Sequence, residues 1–233
     1  MFTYTARLYD RLYGFKDYDG AAGKLDALIQ QRAPAARTLL DVGCGTGRHL
    51  RWLKQRYEVA GLDLDPNLIA VAREAAPDIA FHVGDMTGFE LGRTFDVVTC
   101  LFSAIAYVET IERVECAIGE MQRHLNPGGL LIIEPWFAPE TYWEGHLTAN
   151  FHDEPDLKIS WMYLNAREAD VSVLDIHYTV GTPDRVEQFR EVHRMGLFTR
   201  DQYLAAFRKA GFEAEHDAEG LFQRGLYVGA LKA

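Results

Sequence analysis

The 233-residue chain has few cysteines, no long apolar run and no concentration of positive charge. Its three cysteines form neither a CxxC pair nor a cysteine–histidine spacing, which argues against a disulfide framework and a structural zinc site. No segment approaches the roughly 18 consecutive apolar residues of a membrane-spanning helix, and the first residues lack the apolar run of a signal peptide. We therefore expect a cytoplasmic protein with no membrane partner and no bound metal.

The balance of charge is acidic, with 24 lysines and arginines against 34 aspartates and glutamates, a net charge of −10. Such a surface repels a phosphate backbone, and no basic stretch offsets it, so nucleic acid is not an expected partner. The 48% hydrophobic content suffices for a sizeable core, and no Gly/Ser/Pro tract marks a linker. We expect a single domain over residues 1–233.

Short apolar segments alternate with helical patterns through the first part of the chain. Each apolar segment is rich in branched side chains and is bounded by Gly, Pro or Asp, as is typical of buried strands. The strands are expected at residues 37–42, 58–64, 79–85, 95–103 and 129–136, with helices at 49–57, 67–76 and 110–125. This order predicts an α/β fold, an open and doubly wound parallel sheet with helices on both faces.

The pattern changes at about Asn150, where apolar and polar residues begin to alternate with a period of two up to residue 196. This alternation predicts antiparallel strands that lie outside the parallel sheet, as a cap or a dimer surface. A helix should follow between the N-cap Thr199 and the terminal Gly211. Two last strands are expected at the sheet edge, at residues 212–218 and 224–233.

The turn after the first strand holds three glycines, Gly43, Gly45 and Gly47, preceded by the carboxylate of Asp41. In an open α/β sheet this turn is where backbone can approach a ligand closely. A dinucleotide fingerprint would place its third glycine where Arg48 stands, and a phosphate-binding P-loop would continue with Gly-Lys-Ser/Thr. The loop fits neither pattern, although another Rossmann-like cofactor stays open as an alternative.

Two acidic residues follow at the ends of the second and third strands. Asp63, about 20 positions after the loop begins, can accept hydrogen bonds from both hydroxyls of a ribose. Asp85 can accept one from an exocyclic amine, and Met86 offers an apolar face to an adenine ring. Asp63 could instead cap the next helix, although Asp65 before Pro66 is the better cap, and Asp85 could be a turn residue. A nucleoside site without phosphate-binding cations is predicted.

At this point the sequence resembles a known family. The motifs "LLDVGCGTG", "GLDLD", "GDM", "FDVVTCLFS" and "LNPGGLLIIEPW", in this order, are similar to those of class I S-adenosylmethionine-dependent methyltransferases. The resemblance covers residues 37–136 as a cofactor-binding core. It implies a Rossmann-like seven-stranded sheet with the last strand antiparallel, and S-adenosyl-L-methionine over the glycine loop.

A narrower resemblance extends over nearly the whole chain. The segments "LYDRLYGFKDY", "LFSAIAYVE", "IIEPWFAPETY", "VHRMGLFTRDQYLAAFRKAGF" and "RGLYVG" resemble bacterial N,N-dimethyltransferases that act on the amino group of a nucleotide-linked deoxysugar. It implies a helical lid at 1–36, an antiparallel insertion at 150–196, and a C-terminal helix and strands at 199–233. Two partners are expected. One is a small-molecule acceptor, namely a nucleotide-linked amino sugar, and the other is a second copy of the chain in a homodimer.

The resemblance also implies roles for single residues. Tyr13 and Tyr18 would close over the cofactor, and Tyr107 would lie beside the acceptor amine as the candidate catalytic residue. Arg224 would meet the nucleotide diphosphate. Two further residues would border the acceptor pocket: Glu134 and Trp136.

Each of these roles has a structural alternative. The three tyrosines and the tryptophan could be packing groups, and the arginine could pair with a surface carboxylate. His177 and His193, in the alternating strands, fit structural histidines better than general bases. For the whole chain, a methyltransferase for another small amine or acid, or a non-catalytic S-adenosylmethionine-binding protein, stays open.

Overall fold

A computed structural model describes residues 4–232, so that residues 1–3 of the expected lid and Ala233 of the last strand lie outside it. The chain begins with a 3-10 turn at Ala6–Leu8, the short helix α1 at Tyr9–Leu12 and the longer helix α2 at Tyr18–Arg32. Asp17 caps α2 by accepting a hydrogen bond from the backbone N–H of Gly20. Within the described residues, the N-terminal segment is therefore largely helical.

Seven strands form one sheet with the order β10-β11-β5-β4-β1-β2-β3. Strands β1 to β5 pair in parallel, β11 is antiparallel to β5, and β10 is antiparallel to β11. The predicted seven-stranded sheet with an antiparallel last strand is confirmed. The strands are β1 at Thr38–Val42, β2 at Glu58–Asp63, β3 at Ala80–Val83, β4 at Phe95–Cys100, β5 at Leu125–Ile133, β10 at Phe212–Asp217 and β11 at Leu226–Leu231.

Helices cover both faces of this sheet, because successive strand residues point to opposite sides. Leu39 packs in the cluster that contains α2 residues, whereas its neighbour Leu40 packs in the cluster that contains residues of the helices Ile111–Arg123 and Arg200–Lys209. The remaining helices are α3 at Arg48–Leu53, α4 at Pro66–Ala75, α5 at Ile111–Arg123 and α6 at Arg200–Lys209. A doubly wound sheet is therefore present.

Local capping signals set the ends of two helices as predicted. Asp65 accepts from the backbone N–H of Asn67 and begins α4, with Pro66 in the first turn. Thr199 and Gln202 form a reciprocal capping box at the start of α6, and Gly211 follows that helix with a φ of +87°. Helix α3 ends at Leu53, four residues before the end expected from the pattern.

A separate antiparallel sheet of four strands, β6-β7-β8-β9, follows the parallel part of the chain. It begins at residue 147, three residues before the expected boundary. Cross-strand pairs place residues on two faces: Asn150, Trp161 and Tyr178 are aligned on one, and Leu147 and Leu164 on the other. The strands are β6 at Leu147–Glu154, β7 at Leu157–Glu168, β8 at Val171–Gly181 and β9 at Val186–Gly196.

Between residues 4 and 232, none of the helices combines the length and the apolar character needed to cross a membrane.

Candidate active site

The carboxyl ends of the parallel strands open into a cavity of about 430 Å³. Its walls come from the glycine loop and neighbouring strand ends, from the N-terminal helices, and from the face of the four-stranded sheet that carries Trp161 and Tyr178. This position agrees with the rule that ligands of open α/β sheets bind beyond the carboxyl ends of the strands. The cavity thus joins a polar half at the sheet to an aromatic half at the insertion.

The three glycines of the loop have different tasks. A side chain at Gly43 would place its Cβ 2.4 Å from Cβ of Ala104, and one at Gly47 would lie 2.8 Å from the Phe81 ring. At Gly45, with φ of +56°, a Cβ would meet, among residues 4–232, only the Tyr9 ring at 4.0 Å. Gly43 and Gly45 line the cavity, whereas Gly47 begins α3 away from it. Close packing against protein side chains requires glycine at positions 43 and 47. At Gly45 the absence of a side chain instead leaves the backbone accessible to a ligand.

Asp63 ties the end of β2 to the glycine loop. One carboxylate oxygen accepts from the backbone N–H of Gly45 at 2.8 Å, and the other from that of Asp65 at 2.9 Å. Burial raises the pKa of Asp63, and these two backbone hydrogen bonds oppose the rise. A carboxylate has about four acceptor positions, so lone pairs remain for two further donors. The geometry fits a diol such as a ribose.

Asp41 lies at the end of β1, deeper than Asp63 and 2% exposed. Burial raises the pKa of its carboxyl to about 7, although Thr99 donates a hydrogen bond to it at 2.8 Å. A buried carboxyl that is easily ionised near neutral pH responds strongly to a nearby positive charge. Asp41 also lines the cavity, so a cationic ligand there would favour its charged form.

Asp85 and Met86 both line the cavity beyond β3. The Asp85 carboxylate accepts from the backbone N–H and the hydroxyl of Thr87, and Arg113 pairs with its other oxygen at 3.3 Å. Burial alone would raise the pKa of Asp85, but these hydrogen bonds and the arginine charge outweigh it, and the pKa is lowered. Asp85 therefore stabilises its own turn and also presents a partly exposed hydrogen-bond acceptor to the cavity.

Phe102 lies where the N-terminal helices meet the core. Its ring packs edge-on against Tyr13, with ring centroids 5.4 Å apart, and Tyr18 lies at 6.1 Å. The Lys16 ammonium lies over the same ring at 3.9 Å from the centroid. Burial and, to a smaller extent, the charge of Arg224 together lower the pKa of Lys16 to about 8. The two expected lid tyrosines are thus brought to the cavity together with a lysine that the sequence reading missed.

Tyr107 lines the cavity from the 3-10 turn Ala104–Val108. Three residues around this turn have positive φ without being glycine: Phe102, Ser103 and Glu109 at 53°, 64° and 63°. Such backbone costs about 1–3 kcal/mol per residue and persists only where the surroundings hold it. Here Ser103 donates a hydrogen bond to the carbonyl of Pro135. The strained turn holds Tyr107 between the glycine loop and the four-stranded sheet.

The Tyr107 hydroxyl lies 2.9 Å from Nδ1 of His193 on β9. His193 is buried and lines the cavity, on the same face of the insertion sheet as Leu174, its cross-strand partner. The sequence favours a structural histidine over a general base at this position, and its period of two does not tell which face of the sheet meets the cavity. Burial lowers its pKa to about 4.

Glu134, Trp136 and Arg224 were expected to surround the acceptor. Trp136 and Arg224 line the cavity, but the side chain of Glu134 is fully buried behind them. Its carboxylate accepts from the backbone N–H of Phe102 at 2.7 Å and from Arg224 at 3.2 Å. The expectation that Glu134 borders the pocket is therefore corrected: a buried charge needs partners, and both of its oxygens are bound to protein donors.

Several buried polar atoms at the cavity have no hydrogen-bond partner within the described part of the chain. They are the Tyr18 hydroxyl, Nε2 of His49 and Nε of Arg224. Buried polar groups are normally paired, so this wall fits a polar ligand end. In the same range, residues 4–232, no group of three or more potential ligands is arranged to hold a metal ion.

Comparison with known proteins agrees with this geometry. Residues 39–129 match the family model described as "Methyltransferase domain". The matched part comprises the glycine loop and the acidic strand ends around the cavity. The fold and the site thus define a class I S-adenosylmethionine-dependent methyltransferase, and the open backbone at Gly45 and the free lone pairs of Asp63 fit that cofactor.

Relatives that match nearly the whole chain indicate which methyltransferases it is similar to. The dTDP-3-amino-3,6-dideoxy-alpha-D-glucopyranose N,N-dimethyltransferase of Streptomyces fradiae is 38% identical, with 96% of this chain and 89% of the relative covered. The crystal structure of Streptomyces venezuelae DesVI is similar with a TM-score of 0.93 and 37% identity, covering 98% of both chains. SAM-bound CalS10, an amino pentose methyltransferase from Micromonospora echinaspora, has a TM-score of 0.88 and 36% identity over 96% of each chain. The chain belongs to this family of S-adenosylmethionine-dependent methyltransferases.

Proposed function

We propose that this methyltransferase N-methylates the amino group of a nucleotide-linked deoxy-amino sugar. The main observation in support of this acceptor is a pair of cations at the cavity wall. Arg224 and Lys16 both lie over the Phe102 ring. The nearest carboxylate, Glu134, neutralises one of them through its contact with Arg224. The remaining positive charge favours an anionic group of the acceptor, such as a diphosphate.

The names of the relatives support the same acceptor class. Those of the S. fradiae enzyme and of a second relative, from Streptomyces venezuelae, specify dTDP-linked amino sugars, and the CalS10 description specifies an amino pentose. The aromatic half of the cavity, with Trp136, Trp161 and Tyr178, is suited to a sugar that has lost several hydroxyls, because few polar groups there require partners.

We propose the following roles on the cofactor side. Asp63 accepts from the ribose hydroxyls, Asp85 accepts from the adenine amino group and Met86 packs on the ring. The backbone around Gly43 and Gly45 lies against the ligand, and Gly47 supports the loop. Two tyrosines close the site from the N-terminal helices: Tyr13 and Tyr18. Asp41, whose pKa is raised by burial, favours a cationic ligand.

S-adenosylmethionine supplies a methyl group on a sulfonium, which an amine displaces in line. The protein must align the amine and keep it unprotonated, and alignment alone can contribute an effective molarity of about 10⁵ M or more. Desolvation in the aromatic half favours the neutral amine. The oxygen of Tyr107, which lines the cavity, accepts an N–H of that amine and orients its lone pair. Aromatic faces nearby favour the positive charge that develops on nitrogen.

Titration calorimetry with S-adenosylhomocysteine, followed by thymidine diphosphate added to that complex, tests this proposal. We expect both to bind, and Arg224→Met to weaken thymidine diphosphate about tenfold or more, because a charge-assisted contact of about 1.5–3 kcal/mol is lost. Affinity for S-adenosylhomocysteine should change less than threefold or so. Arg32→Met, which removes an exposed arginine paired with Glu215, is the matched control.

The outcomes separate the alternatives. Binding of S-adenosylhomocysteine alone would contradict a nucleotide-linked acceptor and favour another small amine or acid. Binding of neither ligand would favour a non-catalytic protein. Methyl transfer to a panel of dTDP-linked amino sugars, followed by mass spectrometry, then identifies the acceptor and the number of methyl groups added.

We also propose a homodimer formed through the outer face of the four-stranded sheet. Leu147, Phe151, Met162 and Leu164 are each at least half exposed on that face. An apolar strip beside the edge strand β6 is a surface that proteins usually cover. Sedimentation velocity should give a dimer, and Phe151→Ser combined with Met162→Ser should shift it to monomer. A monomeric wild-type protein would contradict the proposal.

A further inference from the structure

The contact between Tyr107 and His193 joins the two halves of the cavity. The Tyr107 hydroxyl belongs to the strained turn of the parallel-sheet part, and His193 lies on β9 of the insertion sheet. The two rings are in a T-shaped arrangement, with an interplanar angle of 72° and centroids 5.9 Å apart. A hydroxyl has one hydrogen to donate, and its direction therefore depends on which group accepts it.

The surroundings of His193 determine which ring nitrogen carries the proton. Burial lowers the pKa of His193 to about 4, so the ring is neutral near pH 7. Nε2 lies 3.9 Å from a carboxylate oxygen of Glu191, which is also buried. A negative charge beside Nε2 favours the proton on that nitrogen, because a lone pair facing a carboxylate is repelled. Nδ1 is then the acceptor for the Tyr107 hydroxyl.

Glu191 is itself held in place by the N-terminal segment. Its carboxylate accepts from the hydroxyl of Thr5 at 2.6 Å and from the backbone N–H of Tyr4 at 2.8 Å. Period-two spacing on β9 puts Glu191 and His193 on the same face of the sheet, toward the cavity and the N-terminal segment. The carboxylate beside His193 is thus held by two parts of the fold, the N-terminal segment and β9.

We propose that His193 is a positioning residue that commits the Tyr107 hydrogen to Nδ1 and so leaves only lone pairs of the phenol oxygen for the acceptor. In this arrangement Tyr107 can accept an N–H of the amine and cannot donate to the nitrogen lone pair. A donated hydrogen bond would occupy the very lone pair that must attack the methyl carbon. The inference rests on the proposed N-methylation and assigns a role to a residue outside the expected site.

The low pKa of His193 argues against a role as the base that takes the proton from the acceptor amine. An alkylammonium has a pKa of about 10, about 6 units above that of the buried imidazole. A neutral imidazole that orients the hydroxyl is consistent with the pKa, whereas a general base is not.

Two substitutions distinguish the proposed orientation of the Tyr107 hydroxyl from a general structural role of His193. His193→Asn keeps a carbonyl oxygen near the place of Nδ1, and His193→Leu removes the ring nitrogen that contacts the Tyr107 hydroxyl at similar volume. We expect His193→Leu to lower kcat about tenfold, as for the loss of one hydrogen bond, with KM values nearly unchanged. His193→Asn should recover most of the activity. In a Tyr107→Phe background, His193→Leu should have no further effect.

A second measurement can be made without the methyl-accepting substrate. Long-range ¹H–¹⁵N NMR of histidine, assigned with His193→Asn, should show a neutral ring protonated at Nε2, and the Nδ1 resonance should move when Tyr107 becomes Phe. A ring protonated at Nδ1, or an equal effect of His193→Leu with and without the Tyr107 hydroxyl, would overturn the inference. If wild-type protein methylates no amino sugar, the proposed function fails, while the NMR result still decides the hydrogen bond.

Discussion

Asp63→Ala is expected to weaken binding of S-adenosylhomocysteine by about 30- to 700-fold, the equivalent of 2–4 kcal/mol. The proposed hydrogen bonds to two ribose hydroxyls are charge-assisted and lie in a site where burial raises the pKa of Asp63. The same carboxylate holds the backbone of Gly45 against β2. Its loss therefore removes ligand contacts and loosens the loop that bears the ligand. Titration calorimetry measures the change directly.

Asp96 provides a matched control for this change. Its carboxylate also accepts from backbone N–H groups, those of Arg37 and Thr38, but at the start of β1 and thus at the opposite edge of the sheet. Asp96→Ala should lower the melting temperature without changing affinity for S-adenosylhomocysteine. Asp63→Asn, which retains one acceptor oxygen, should fall between wild type and Asp63→Ala. Equal affinity of wild type and Asp63→Ala would contradict the ribose contact.

The cofactor half of this site could be read from the sequence because its residues are local features of strand ends. Asp41 and Asp63 lie in the last two residues of apolar strands, Gly45 lies in the turn after the first strand, and the carboxyl ends of parallel strands meet at one edge. No long-range information is required to bring them together. Even so, the pattern could not separate glycines required by packing, as at Gly47 against Phe81, from one that faces a ligand.

The acceptor half depends on how two sheets meet, which no local pattern encodes. The period of two predicts that Glu191 and His193 share a face, but it leaves open whether that face meets solvent, a partner or the cavity. The cluster of Lys16, Phe102 and Arg224 joins residues far apart in the chain. Glu134 was expected in the pocket on resemblance alone, and the structure places it one layer deeper.

Glu134→Ala should destabilise the protein by about 3–5 kcal/mol, because it leaves the charge of Arg224 in a largely buried place without its partner. The arginine side chain is 12% exposed and that of Glu134 is 0% exposed. The change also removes the acceptor for the backbone N–H of Phe102, a residue with φ of +53°. For a chain of this size the melting temperature should fall by about 6–20 °C.

Charge pairing and backbone anchoring can be told apart within this cluster. Glu134→Gln keeps an acceptor for Phe102 but loses the charge that Arg224 requires. Adding Arg224→Met to Glu134→Gln removes both charges, and replacing a buried pair by neutral groups is often close to neutral in stability. The double variant should therefore melt above Glu134→Gln alone, while Glu58→Ala, which breaks the exposed pair with Arg93, should change little.

A double variant no more stable than Glu134→Gln would show that the arginine does not depend on this carboxylate. The predicted order follows from burial: the exposed pair is solvated with or without its partner, but the buried guanidinium has Glu134 as its ion-pair partner within the described chain. Glu134 thus contributes to the acceptor site without touching it, by holding Arg224 toward the cavity and Phe102 under Lys16. Thymidine diphosphate should accordingly bind more weakly to Glu134→Gln, even at temperatures where that variant remains folded.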